Sequence, residues 1–155
     1  MAKWYPNIRA LRDLSFDQLI KHSKDLPETI YKRCRHVVEE NKRVRDGARR
    51  LRAGDLNGFG ERMRESHRSL RDLYEVSCRE LDIMVEAAEG LPGYYGGRMT
   101  GGGFGGSTIN LVEATDADSF GDQVSSRYQN ATGIKPAVYI CSAADGARAE
   151  PNPEA

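Results

Sequence analysis

The residues whose types and spacing speak most directly of chemistry run Gly97-Arg98-Met99-Thr100-Gly101-Gly102-Gly103-Phe104-Gly105-Gly106-Ser107. Seven of the eleven residues from Gly96 to Gly106 are glycine. Glycine at that density has an entropic cost, so a folded chain keeps it where the backbone must take positive φ or approach another group closely. Successive exposed amides in such a loop form a concavity of positive potential that suits an anionic oxygen. Gly101, Gly103 and Gly106 satisfy G-x-G-x-x-G, but a β-rich run follows where a dinucleotide fold would place a helix N-terminus, so that match is accidental. A Walker loop is excluded, because neither Lys-Ser nor Lys-Thr follows the glycines. On residue types, two readings stay open: a plain structural hairpin, or a loop that faces an anion. If the loop needs positive φ, valine at Gly102 or Gly103 should do more harm than a conservative change at Ser107.

Other constellations carry less. In Glu65-Ser66-His67-Arg68-Ser69 the serine and histidine are neighbours, and on a helix they point about 100° apart, which rules out a nucleophilic pair and leaves His67 a hydrogen-bonding role. His22, His36 and His67 are scattered, and Cys34, Cys78 and Cys141 form neither a Cys-x-x-Cys clamp nor an even disulfide set; a metal site is not expected, and the cysteines read as reduced core residues. The cationic run from Lys32 to Arg52 has no interleaved aromatic residues to stack on bases and reads as a solvated helix face.

The elements that must position the loop follow from patterning. The 155 residues suffice for one domain; 23 Lys plus Arg balance 23 Asp plus Glu, which disfavours a nucleic-acid binder, and 39% hydrophobic residues mark a folded chain. No apolar run approaches a membrane span and the start lacks a signal-peptide core, so the expectation is a cytoplasmic protein with no membrane partner. Tyr5 to Leu19 reads as a short strand or a short helix. Asp25-Leu26-Pro27-Glu28 opens a long helix, whose apolar stripe of Ile30, Cys34, Val37, Val38, Val44, Ala48 and Leu51 should face the body of the protein until Gly54. Asp55 caps a second helix carrying Leu56, Phe59, Met63, Leu70, Leu73 and Tyr74, with a polar gap at Ser66-His67. Ser77-Cys78-Arg79-Glu80 fits a capping box and predicts a third helix to about Glu89. A hairpin then joins Gly97–Thr100 to a strand at Thr108–Glu113, a fourth helix through Phe120, Val124 and Tyr128 stops at Gly133, and Ala137–Cys141 reads as a last strand. Helices on one face of a small, mainly antiparallel sheet make an α+β domain. The expected layout is a lead-in at 1–25 belonging to the same domain, the domain proper at 26–142, and a flexible tail at 143–155.

Taken together, Arg33-Cys34-Arg35-His36-Val37-Val38-Glu39-Glu40-Asn41, Ser66 to Asp72, Tyr74-Glu75-Val76-Ser77-Cys78 and the glycine segment Gly97–Gly106 closely resemble, in order and spacing, the C-terminal domain of galactokinases in the GHMP kinase superfamily. The resemblance runs from about Tyr5 to Gly146, and the glycine segment resembles the third motif of that superfamily, with Ser107 where many galactokinases have cysteine. It implies a ferredoxin-like α+β fold and a loop of Thr100, Gly101, Gly102, Gly103, Phe104, Gly105 and Gly106 projecting into an interdomain cleft near the sugar and the transferred phosphate. It further implies that ATP, Mg2+ and D-galactose belong to the intact enzyme. The sugar-gripping signature, nucleotide loop, magnesium ligands and activating aspartate of that enzyme lie in an N-terminal domain with no counterpart here. The chain alone is therefore expected to bind no cofactor and to be inactive, with no catalytic residue of its own. The missing domain is its expected partner, in cis in the parent or in trans, and its uncovered face should promote self-association. A non-catalytic binding or regulatory module derived from a galactokinase, or the same part of another GHMP sugar kinase, are the alternative readings.

Overall fold

The computed structural model describes residues 3–146. The undecided opening is helical: a 3-10 turn at Leu11–Asp13 leads into α1 (Phe16–Lys21), where Ser15 Oγ accepts from the Gln18 amide at 3.2 Å and Gln18 Oε1 accepts from the Ser15 amide at 2.9 Å. That reciprocal pair satisfies two amides that a helix start leaves orphaned. Leu14, just before α1, and Leu19 within it pack onto Val38 of α2 (Glu28–Arg52), with Tyr5, Ile8, Leu11 and Tyr31 around them.

α2 begins after Pro27 and ends before Gly54, as the sequence implies, but only part of the apolar stripe, around Cys34 and Val38, packs into the core. Ile30, Val44 and Leu51 are exposed, whereas His36, Val38 and Gly47 are buried. The reason is the neighbour: α3 (Leu56–Ser69) packs antiparallel across a short turn and meets α2 through charged and polar groups. Asp55 caps α3 as expected, accepting from the Gly58 amide at 2.8 Å. The Ser66-His67 stretch is no solvated gap, since Ser66, His67 and Ser69 are all buried.

α3 runs into one π-helical turn, Leu70–Tyr74, which ends on Glu75 at φ 56°, ψ 46°. α4 (Arg79–Ala88) follows. The anticipated capping box does not form: the cap position is Cys78, one residue beyond Ser77, and the Ser77 hydroxyl instead donates to Asp82 at 2.6 Å.

β1 (Tyr94–Thr100) and β2 (Ser107–Val112) form a two-stranded antiparallel sheet in the register Met99↔Thr108 and Thr100↔Ser107, with an irregularity between Tyr94 and Gly96. α3 covers the second edge of β1. An added Cβ at Gly60 would stand 1.9 Å from the Tyr95 carbonyl oxygen, and one at Gly96 2.2 Å from that of Gly60, so glycine at both positions permits the approach. Met99 is fully buried against Leu70 and Leu81. α5 (Ala117–Thr132) stops at Gly133, φ 76°, and packs Phe120 and Val124 on Ala88 and Leu91.

Residues Ala137–Cys141 are not a strand. A strand requires a ladder partner, and among the described residues the sheet is β1 and β2 alone; Val138 lies instead against Gly121 of α5, Tyr139 is 83% exposed, and Cys141 is exposed rather than a core residue. Residues 143–146 carry no regular structure, and 147–155, the remainder of the expected tail, lie outside the described residues. The architecture is α+β, with helices on a small antiparallel sheet.

Candidate functional site at the glycine loop

The β1–β2 hairpin carries the loop Gly101–Gly106 at its tip. Gly101 (φ 85°), Gly103 (83°), Gly105 (135°) and Gly106 (104°) all lie at positive φ, which L side chains avoid. Phe104 shares that region at φ 60° although it carries a side chain, and that side chain is 76% exposed. A bulky residue held left-handed and turned to solvent is a strain that persists only where neighbouring structure fixes it. Gly102 differs from the rest: its φ is not positive and an added Cβ would meet nothing within 4 Å. The two glycines grouped together in the valine expectation therefore differ: of them, Gly103 alone is both left-handed and crowded, with its Cβ position 2.1 Å from the Val76 carbonyl oxygen.

Three contacts fix the loop and its base. The Phe104 amide donates to the Val76 carbonyl at 2.7 Å. At the end of β1 the Met99 amide donates to His67 Nδ1 at 3.3 Å, which places the His67 proton on Nε2, 3.2 Å from Asp82 Oδ1 but off the line of a good hydrogen bond. Arg98 reaches Glu40 of α2 at 3.3 Å, and the same carboxylate accepts from the Ser66 hydroxyl at 2.5 Å and pairs with Arg43. Among the described residues, the amides of Gly101, Gly102, Gly103, Gly105 and Gly106 have no hydrogen-bond partner in the chain. The loop therefore presents unpaired backbone donors on a strained, anchored scaffold, which is what binding an anionic oxygen requires.

Burial lowers the proton affinity of His67 despite the opposing pull of Asp82, and burial likewise lowers that of His36, whose Nδ1 is 2.9 Å from Ser69 Oγ and whose ring stacks on Tyr74 at 4.6 Å. Both histidines are packed, hydrogen-bonded groups. No group of three or more His, Cys, Asp or Glu side chains able to hold a metal occurs among the described residues, and no helix there is long and apolar enough to cross a membrane. A groove of 670 Å³ between α2 and α3 is lined by alternating charges such as Arg43, Glu39, Arg62 and Glu65, which pair with one another. Sequence reasoning located the loop and quoted the segments that contain Arg33, Glu75 and Val76, but missed these residues as its supports, because the hydrogen bonds that join them to the loop run between segments distant in the chain.

The GHMP kinases C terminal family model matches residues 48–130, a span that takes in α3, the hairpin, the glycine loop and most of α5. The chain belongs to this family. Galactokinases are among its relatives: that of Roseiflexus sp. is 49% identical over 146 residues, covering 94% of this chain and 37% of the relative, and that of Homo sapiens is 46% identical over 139 residues, covering 90% and 34%. A solved Lactococcus lactis galactokinase complexed with galactose superimposes with a TM-score of 0.79 at 38% identity, covering 83% of this chain and 34% of that one. The chain thus spans a little over a third of the length of the galactokinases it matches. The family assignment, the α+β fold and the galactokinase C-terminal character read from the sequence all hold.

Proposed function

We propose that this chain supplies the Thr100–Gly106 loop to the cleft of a galactokinase that phosphorylates D-galactose to galactose 1-phosphate with ATP, and that alone it is inactive. The observation that carries the reading is the loop itself: unpartnered amides at Gly101, Gly102, Gly103, Gly105 and Gly106 on a backbone held in left-handed turns, in a family whose closely similar members are galactokinases. ATP with Mg2+ would supply the phosphoryl group and the neutralising charge. The loop's unpaired donors fit phosphate oxygens, but Thr100–Gly106 contains no carboxylate to hold a metal and no base to take the sugar proton. Those functions fall to an N-terminal domain, the proposed partner.

The role of this chain is then geometric. Phosphoryl transfer depends on positioning and charge stabilisation, and a loop whose donors are oriented before binding loses little reorganisation energy when charge develops. Residues 26–142 act as the domain and 1–25 as part of it, a division supported by the packing of Leu14 and Leu19 on Val38. The activity would be cytoplasmic. The exposed Ile30, Val44 and Leu51 on α2 and Tyr139 near the C-terminus support uncovered apolar surface that favours association.

The test is turnover. The purified chain is expected to show no galactose-dependent ATP consumption; mixing it with the N-terminal two thirds of a galactokinase should restore a rate that rises with partner concentration, because separation has made an intramolecular arrangement bimolecular. Sugar phosphorylation by the chain alone, lost on substitution within Thr100–Gly106, refutes the reading, as does failure of the mixed halves to turn over although they bind.

A further inference from the structure

The glycine loop is anchored by Val76, and the geometry of Val76 is set from α2. The Glu75 amide and the Val76 amide both donate to the Leu70 carbonyl, the latter at 3.1 Å, closing the π-helical turn as glycine-capped helices close, yet the left-handed residue is glutamate. A non-glycine residue resists that conformation, and the side chain of Glu75, roughly half exposed, has no core to hold it there. What holds it is Arg33. Its Nη1 donates to the Leu73 carbonyl at 2.5 Å, its Nη2 to Glu75 Oε2 at 2.6 Å, and its guanidinium lies 6.0 Å over the Tyr74 ring; Lys32 adds a second cation 3.5 Å from Glu75 Oε1. A planar guanidinium meets both acceptors at once, which a point-like ammonium cannot do.

The consequence passes directly to the loop. With Glu75 left-handed, the next carbonyl, that of Val76, points at the Phe104 amide and fills the space beside Gly103 that a Cβ would occupy. Two left-handed non-glycine residues, Glu75 and Phe104, therefore sit on either side of one hydrogen bond, and they are the only two non-glycine residues at positive φ among those described. π-helical turns and strained residues of this kind concentrate at functional sites. The geometry points to Arg33, some seventy positions away in sequence, as a positioning residue for the glycine loop, acting through Glu75 and the Val76 carbonyl. Its value for catalysis rests on the function proposed above; its mechanical role does not.

The experiment measures amide hydrogen exchange on the full chain with Arg33→Met, Glu75→Gly and the double variant, reading Phe104 against Val124 in α5. Removing a charge-assisted double donor is expected to lower protection at Phe104 about tenfold more than at Val124. Glu75→Gly keeps the left-handed turn without the clamp, so Arg33→Met in that background should cost Phe104 less than in the parent. Equal losses at Phe104 and Val124 show that Arg33 only stabilises the domain and overturn the proposal, as do additive losses in the double variant. With the chain reassembled with a galactokinase N-terminal part, Arg33→Met should lower kcat severalfold while KM for ATP stays within about twofold. No turnover from the wild-type assembly refutes the functional reading and leaves the exchange result to decide the positioning role on its own.

Discussion

Gly103→Ala and Gly102→Ala are the same chemical change one residue apart, and the structure predicts opposite signs. At Gly103 the new methyl meets two obstacles: φ of 83°, which costs an L residue about 1–2 kcal/mol, and the Val76 carbonyl oxygen 2.1 Å from the methyl carbon. The second can be relieved by moving the loop away, which forfeits the Phe104–Val76 hydrogen bond and adds about 0.5–1.5 kcal/mol. The expected loss is about 2–3 kcal/mol, and a domain of this size converts each kcal/mol into roughly 2–4 °C of Tm. At Gly102 φ is not positive and nothing lies within 4 Å of the methyl, so alanine only restricts the unfolded chain and should stabilise by up to about 1 kcal/mol. Urea denaturation of the two variants beside the parent decides the matter. Equal losses at the two sites, or a neutral Gly103→Ala, would refute the reasoning that the left-handed turn and its Val76 contact, rather than glycine density as such, define the loop.

The helix–strand contact gives a second expectation: Gly60→Ala puts a methyl 1.9 Å from the Tyr95 carbonyl, backbone against backbone, and should cost about 3 kcal/mol, the top of the overpacking range, in the same denaturation assay. Protonation of the buried histidines supplies a third. The folded-state pKa values of His36 and His67 lie below the ordinary 6.5, chiefly through burial, so below that pH the unfolded chain binds more protons. Stability is then whole above about pH 6.5 and falls as pH drops through it, in a window above the carboxylate range; a urea midpoint unchanged between pH 7.5 and 5.5 contradicts this. The fourth is association: sedimentation should show concentration-dependent self-association that Val44→Glu with Leu51→Glu reduces, and a strictly monomeric parent would show that the exposed α2 residues are inert.

What was legible in the sequence was local chemistry. Asp25-Leu26-Pro27-Glu28, Asp55 and Gly133 mark helix boundaries because caps, proline and glycine act within a turn of where they stand, and the structure places α2, α3 and α5 accordingly. What was not legible was decided by neighbours distant in the chain. The periodic apolar residues Ile30, Val44 and Leu51 are exposed because the contact of α2 with the facing helix is made by charges instead, with Arg43 joining Glu39, Glu40 and Glu65. Ser66 and His67 are polar by type yet buried, since Glu40 and the Met99 amide provide partners from other elements. The segment Ala137–Cys141 has strand-like residues and no ladder, because a strand is a property of two segments and one sequence window shows only one.

The same distinction explains why the glycine motif could be read while its mechanics could not. A two-stranded hairpin is marginal by itself, and one ending in flexible glycines would leave its tip in many conformations. Here the tip is held from outside the sheet: His67 of α3 takes the Met99 amide, Glu40 of α2 takes Arg98, and Val76 takes the Phe104 amide. Each support comes from a segment that carries its own resemblance to the galactokinase pattern, at 33–41, 66–72 and 74–78. They are joined to the loop by hydrogen bonds rather than by proximity in sequence. The helical part of the domain thus converts a flexible glycine run into a set of fixed donors, and the strain at Glu75 and Phe104 is sustained because packing and charge pairing on α2 and α3 hold the anchors in place.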